Sequence, residues 1–277
     1  MYGREVNEDK RERVMADNTT PAKRPLEPER RAVVIGASSG LGAALVRRLA
    51  IQGYRVAALA RREESLEVLR TAVNAGYPQS SSSRVLVYAH DVTDYTAVPA
   101  LFQQIVHDLG GLDLFIYAAA VQPAVAADEY NFEKDKAMID VNLLGAIAWL
   151  NQAAVRFDRA GRGHIVGISS IAGDRGRVGA PVYNTSKAGL NTYLESLRNR
   201  LARRRVAVTT IKPGFMETRL LANAKKTFWV ISPEDAAAQI YLAIKRKQGT
   251  VYVPKRWGLV GLIIKHIPSF IFKWMNF

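Results

Sequence analysis

Ser170, Tyr183 and Lys187 stand at intervals of thirteen and four in the stretch SSIAGDRGRVGAPVYNTSK, residues 169–187. Tyr183 and Lys187 fall at the start of a helical pattern, where residues four apart share a face. A free tyrosine has a pKa of about 10, too high for efficient proton exchange near neutrality. A lysine ammonium within a few Å favours the phenolate and lowers that pKa. Ser170 is then placed to hydrogen-bond a substrate oxygen as negative charge develops on it. The spacing points to acid–base chemistry on a carbonyl or its alcohol. A Tyr-x-x-x-Lys pair also recurs by chance on ordinary helices, so it needs support from the rest of the chain.

That support begins after the first apolar run, Ala32–Ile35. Gly36-Ala37-Ser38-Ser39-Gly40-Leu41-Gly42 follows it and opens a helical pattern with apolar residues at 41, 45 and 49. A glycine-rich turn between a strand and a helix is the setting for a dinucleotide pyrophosphate. Gly36 permits the sharp turn, Gly40 lets backbone N–H groups approach the phosphates, and Gly42 lets the helix pack closely on the strand. Ser38, Ser39 and Leu41 complete the expected cofactor lining. The spacing is G-x-x-x-G-x-G, and a purely structural turn remains the other reading.

The second strand ends at Ala60-Arg61-Arg62, where an acidic residue would accept from a ribose 2′-hydroxyl. Arg61 and Arg62 instead suit a 2′-phosphate through charge-assisted hydrogen bonds. NADP(H) is therefore favoured over NAD(H), although Glu63 and Glu64 beside the arginines also fit the start of a solvated helix. Asp91-Val92 follows the third strand, placed to meet the adenine or simply to turn the chain.

Short, nearly all-apolar runs at 32–35, 55–60, 84–89, 112–118, 164–169, 207–212 and 249–253 alternate with helical patterns at 41–52, 63–75, 99–109, 133–159, 183–203 and 233–247. Apolar strands that alternate with helices imply a parallel sheet covered on both faces. The expected fold is α/β, a single doubly wound Rossmann domain over 31–253 with a mostly parallel sheet and helices on both faces. Residues 1–30, with mixed charge and three prolines, read as a disordered leader without the apolar core of a secretory signal. Residues 254–277 form an apolar and basic tail.

The glycine loop, Asp91-Val92, Asn142, Ser170, Tyr183-x-x-x-Lys187 and Pro213-Gly214-x-x-x-Thr218 occur in this order. Together they resemble the short-chain dehydrogenase/reductase family over roughly residues 31–253. The resemblance implies an enzyme that interconverts a ketone and a secondary alcohol by hydride exchange with NAD(P)H. It implies that Tyr183 is the general acid/base and that Lys187 lowers its pKa and binds the nicotinamide ribose. Ser170 would orient the carbonyl and Asn142 would hold a water in the proton relay. Pro213, Gly214 and Thr218 would border the nicotinamide carboxamide. Two departures stand out: Ile35 where the family usually has Thr, and Tyr117-Ala118-Ala119-Ala120 where it has Asn-Asn-Ala-Gly. A cofactor-sensing regulatory protein of the same fold is the competing class, and the intact Ser-Tyr-Lys set argues against it.

The 277 residues include no cysteine, which excludes disulfides, a thiolate metal site and a Cys nucleophile. No metal is expected, and the compartment suggested is a reducing cytoplasm. The net charge of +14 is uneven: residues 155–277 hold 22 Lys and Arg against 6 Asp and Glu. Such a half attracts phosphate on a cofactor, a lipid headgroup or nucleic acid. No zinc finger, RNA-recognition signature or aromatic-interleaved basic ribbon supports nucleic acid, so none is expected.

The tail's apolar runs are broken by Lys265 and Pro268 and are too short to span a bilayer, which needs about 20 residues. The tail either lies in a membrane interface, with Lys255, Arg256, Lys265 and Lys273 facing anionic headgroups, or packs on its own domain or a partner subunit. The Ala-Gly-Asp-Arg-x-Arg stretch and the tail's His-Ile-Pro-x-x-Ile-Phe are similar to one family branch. That branch comprises the reductase components of decaprenylphosphoryl-β-D-ribose 2′-epimerases, which reduce a 2-keto pentose on a polyprenyl phosphate. The likeness implies Arg175, Arg177 and Arg219 as partners of a substrate phosphate. Reduction of another hydrophobic ketone, steroid-like, acyl or sphingoid, needs no such site. From the family, a homo-oligomer is expected; the absence of cysteine places it in the cytoplasm, and the interfacial reading of the tail would make it peripheral at the inner face of the membrane.

Overall fold

The computed structural model describes residues 30–77, 83–126, 128–218, 221 and 227–275. Its sheet has seven strands: β1 (Arg30–Ile35), β2 (Tyr54–Ala60), β3 (Val85–Ala89), β4 (Leu114–Tyr117), β5 (Gly163–Ile168), β6 (Val206–Pro213) and β7 (Thr250–Val253). Their spatial order is β3-β2-β1-β4-β5-β6-β7, and every pairing is parallel. The sheet is thus parallel throughout, beyond the mostly parallel arrangement the sequence implies. Arg30 already pairs with Tyr54, so the fold starts one residue before the boundary at 31. Residues 1–29, the rest of the expected leader, lie outside the described residues.

Helices cover both faces. Helices α1 (Gly40–Ile51), α2 (Glu63–Asn74) and α7 (Pro233–Lys245) bury Leu45, Leu66 and Ile240 against Val34, Val56 and Ile116. On the other face, α3 (Val98–Leu109), α5 (Gly145–Ala160) and α6 (Pro181–Leu201) bury Phe102, Trp149 and Leu194 against Val33, Ile35 and Phe115. Successive strand residues point to opposite faces. This sheet is buried on both, which is why its strands read as unbroken apolar runs.

The helical pattern at 133–159 resolves into α4 (Phe132–Ile139), a π-helical turn at Asp140–Leu144, and α5. Together they are long and apolar enough to cross a membrane by length and composition, but Trp149, Leu150, Ala153 and Phe157 are fully buried against the sheet. A core helix passes the same composition test as a spanning one.

After β7 the chain forms α8 (Trp257–His266) and the short α9 (Ser269–Phe272), which the loop after β5 ties down. In that loop a 3₁₀ turn, Ile171–Asp174, ends on a carboxylate that is only 1% exposed. Asp174 Oδ1 accepts from Lys212 Nζ on β6 at 2.5 Å and from Lys265 Nζ on α8 at 3.1 Å, and Oδ2 accepts from the Tyr252 hydroxyl on β7 at 2.6 Å. Burial pushes the carboxyl's pKa up, but these donors outweigh it and hold the group below its ordinary value. One carboxylate therefore joins four elements.

Breaking a buried ion pair leaves the surviving charge uncompensated, at a cost of about 3–5 kcal/mol. Asp174→Ala strands Lys212, whose side chain is 8% exposed, so the urea midpoint should drop by the equivalent of several kcal/mol. Lys265 is 40% exposed, and Lys265→Met should cost less than about 1 kcal/mol in the same titration.

Candidate active site

In a wholly parallel sheet all strands point one way, so the loops after β1, β4, β5 and β6 meet at one edge. Gly36 turns the chain at φ +88°, and its N–H and that of Ala37 donate to the Leu59 carbonyl at 2.8 and 2.9 Å. A Cβ on Gly36 would lie 2.5 Å from the Ala119 backbone nitrogen, and one on Gly42 would lie 2.1 Å from the Gly36 carbonyl oxygen. The loop therefore packs against the β4 end and against itself. Gly40 has φ +52°, and the Thr218 methyl approaches within 3.1 Å of where its Cβ would be.

Ser39 is the N-cap of α1, yet its side chain makes no capping hydrogen bond. Arg62 instead donates to the hydroxyls of both Ser38 and Ser39 at 2.8 Å. The first turn of α1 contains no acidic residue. Its orphan N–H groups and the helix dipole face the loop without a side-chain cap, an arrangement that fits a pyrophosphate. Of the two arginines, Arg62 reaches the loop, whereas Arg61 pairs with Asp91 across 3.6 Å. Asp91 also accepts from the Thr93 N–H at 2.9 Å and hydroxyl at 2.8 Å, which caps its own turn. Val92 is buried beneath it, with its carbonyl facing Gly145.

Asn142 sits fully buried in the π-turn. Its Oδ1 accepts from the Val121 N–H at 2.8 Å, while its Nδ2 donates to the Val121 carbonyl at 3.0 Å and to Ser186 Oγ at 3.2 Å. The side chain clamps the loop after β4 to α6. Tyr117 supports the same turn. Its hydroxyl donates to the Val141 carbonyl at 2.6 Å and lies 2.8 Å from where a Cβ on Gly145 would be. The tyrosine that replaces the family's asparagine thus supplies a brace of its own, which the sequence pattern does not announce.

Tyr183 and Lys187 lie in the first two turns of α6, both buried. Ser170 follows β5, and its Oγ accepts from the Ala172 N–H at 3.0 Å. Burial raises the Tyr183 pKa above its ordinary value; the nearby Ser170 hydroxyl and the charge of Arg177 oppose that rise. Arg177 is itself half-buried, its pKa lowered by burial and partly restored by a Tyr183 phenolate.

Lys187 is held at the end of β5. Its Nζ donates to the Ile168 carbonyl at 3.1 Å and stands 5.8 Å from the Tyr183 ring centroid, and burial pulls its pKa down to about 8. The charge of Arg177 also favours the Tyr183 phenolate, a contribution the sequence pattern does not announce.

The other arginines part ways. Arg175 donates to the carbonyls of Ile264 (2.8 Å) and Ile267 and to Ser269 Oγ (3.3 Å), with its guanidinium 3.9 Å above the Phe272 ring. It caps the carbonyl end of α8, where the last C=O groups lack helical partners, so this guanidinium is turned to the tail and not to Tyr183. Arg219 lies outside the described residues. Arg177 lines a cleft with Gly176, Val178, Phe272, Lys273 and Met275, between the catalytic loop and α9.

Pro213 ends β6, and Gly214 follows with its N–H donating to the Val253 carbonyl at 3.0 Å. A Cβ on Gly214 would sit 2.0 Å from Trp257 Nε1. Trp257 packs with Phe215, Phe228 and Trp229 at centroid distances of 4.9–5.7 Å. This aromatic wall comes from the β6 loop and the tail, segments far enough apart that no local spacing reveals it.

The ordinary lysine pKa is near 10.4 and the folded one is about 8. Between those values the unfolded chain binds the extra proton, so stability contributed by this group rises with pH. Below pH 8 both states are charged and the burial cost is felt in full. Unfolding titrations of the native chain and Lys187→Met should show the native chain gaining on the variant from pH 8 to 10.5, by on the order of 3 kcal/mol. A flat difference would mean that Lys187 is not the buried ammonium.

The short chain dehydrogenase family model matches residues 30–228. The chain is 35% identical over 244 residues to an uncharacterized oxidoreductase of Myxococcus xanthus, covering 88% of this chain and 94% of that one. It is 33% identical over 223 residues to an uncharacterized oxidoreductase of Mycobacterium tuberculosis, covering 80% and 87%. Among solved structures, a metagenomic short-chain oxidoreductase in complex with NADP is similar at 29% identity and a TM-score of 0.67, covering 80% of this chain and 94% of that one. With the glycine loop and the Ser170-Tyr183-Lys187 set at one sheet edge, these matches establish that the chain is an oxidoreductase of the short-chain dehydrogenase family.

Proposed function

We propose that the protein is an NADP(H)-preferring ketoreductase whose substrate is a ketone on a lipid-linked phosphate, most closely a 2-keto sugar on a polyprenyl phosphate. The observation that carries the reaction is the Ser170–Tyr183 pair, with Arg177 beside it and Lys187 one helical turn on, next to an uncapped helix N-terminus. The cofactor would supply the hydride. Ser170 would hold the substrate oxygen by hydrogen bond, and Tyr183 would give up its phenolic proton to that oxygen as charge develops there. Arg177 and Ser170 both favour the resulting phenolate, which offsets the burial that disfavours it.

Arg62 supports the preference for NADP(H). Its guanidinium spans the two loop serines at the mouth of the α1 site, where a 2′-phosphate would meet it. The bound NADP in the metagenomic relative agrees with this reading. Arg177 and Lys273 supply two cations to the cleft that Phe272 and Met275 line with apolar atoms, a combination suited to a phosphate bearing a hydrocarbon chain. Arg175, committed to the tail, is not part of this subsite.

A second reading rests on Arg177 itself. If its charge serves only the Tyr183 phenolate, no phosphate is needed, and the substrate is another hydrophobic ketone, steroid-like, acyl or sphingoid.

The test is NADPH and NADH oxidation with a panel of ketones, including a 2-keto pentose on a polyprenyl phosphate. Tyr183→Phe should lower kcat by about 10²–10⁴-fold while dinucleotide binding persists. Arg62→Ala should shrink the NADPH-over-NADH ratio by about tenfold, the loss of one charge-assisted contact. Arg177→Ala should raise KM for the phosphorylated ketone; a fall in kcat with KM unchanged would favour the second reading.

A further inference from the structure

Helix α8 is apolar on its outward face as well as on its buried one. Trp257 and Gly261 are buried against the domain, and the opposite face carries Leu259 (65% exposed), Leu262 (55%) and Ile263 (56%). A surface helix ordinarily turns polar residues outward. Helix α9 and the residue pair after it continue the same surface with Phe270 (69%) and Trp274 (81%). Isolated exposed apolar residues are common; a continuous set on two adjoining helices marks an interaction surface.

The charge around this surface limits what can cover it. From residue 236 to the end of the chain there are seven Lys and Arg and no Asp or Glu. Lys255, Arg256, Lys265 and Lys273 are all exposed on or beside α8 and α9. A second copy docking through the same patch would bring Lys255, Arg256 and Lys273 together, and the one acid close by, Asp174, is buried and already paired with Lys212 and Lys265. An anionic lipid surface is complementary to both features: the apolar side chains enter the acyl boundary and the ammonium groups meet the headgroups. With ten and four residues the two helices are too short to span, and their place is in the plane of the interface.

We infer that the outward face of α8 and α9 docks the protein on an anionic bilayer. The orientation follows from the ties already described. Asp174 holds Lys265, and Arg175 caps α8 and covers Phe272, and both residues belong to the loop that carries Ser170. Docking therefore holds the catalytic loop, and the cleft lined by Arg177 and Lys273, next to the lipid. The exposed Phe228 and Trp229, packed with Trp257, extend the apolar surface toward the segment after β6. The inference stands apart from the substrate reading, because its readout is binding and not turnover.

The test is co-sedimentation of the full chain with sucrose-loaded vesicles of phosphatidylcholine, alone or with about a third phosphatidylglycerol. The chain should partition onto the anionic vesicles at least tenfold more than onto the neutral ones, and raised salt should reverse this. Leu262→Glu with Trp274→Glu, both at exposed positions, should lose the partitioning tenfold or more while the melting temperature and dinucleotide binding hold. Lys255→Glu with Lys273→Glu should weaken binding to anionic vesicles only. Failure of the native chain to bind anionic vesicles would overturn the inference, as would native-like binding by the Leu262/Trp274 variant. A native dimer that the same variant dissolves would assign the face to a second copy instead.

Discussion

The constraint on which everything else depends is that all strands of this sheet run the same way with helices on both faces. Apolar side chains then fill most of both layers, and the polar groups of the site gather at the edge at which the strands end. The glycine loop, Asn142, Ser170, Tyr183 and Gly214 come from segments scattered over nearly two hundred residues, and all of them lie at that edge. The crossover from β1 to one side and β4 to the other opens the crevice there. Close packing seals its floor, since Gly36 and Gly42 leave no room for a Cβ.

At this edge burial and charge compete. Burying Tyr183 disfavours the phenolate and burying Lys187 disfavours the ammonium, so both groups are moved toward neutrality. Arg177 acts against that trend at Tyr183 because a guanidinium keeps its charge under partial burial far better than an ammonium does. The two cations therefore hold different positions. Lys187 is anchored to the Ile168 carbonyl, and Arg177 faces the tyrosine from a loop that also borders the tail cleft.

The tail is an integral part of this arrangement. Asp174 and Arg175 follow Ser170 by only a few residues, and both make their main contacts with β6, β7, α8 or α9. Trp257 closes the same region from the far side by packing on Gly214. The loop that carries Ser170 is thus tied to the segment that exposes the apolar face.

Local spacing was enough to read the alternation of strands and helices, the glycine loop, and the Tyr183-x-x-x-Lys187 pair, because each depends on neighbours within a few residues. The apolar runs matched the strands to within about two residues, since a fully buried strand has no polar alternation to blur its ends. The π-turn at Asn142 was hidden because its residues keep the apolar pattern of the helix around it, and Tyr117 braces it from another strand. The pairing of arginines with partners was hidden for the same reason. Arg61, Arg62, Arg175 and Arg177 look alike in sequence, yet one meets Asp91, one the loop serines, one the end of α8 and one Tyr183. The sequence by itself determined the fold class and the order of the glycine loop, Ser170, Tyr183 and Lys187 along the chain, which follow from periodicity and short-range spacing. Only the tertiary structure decided which cation serves which group, because a long flexible side chain chooses its partner by what folding brings within reach.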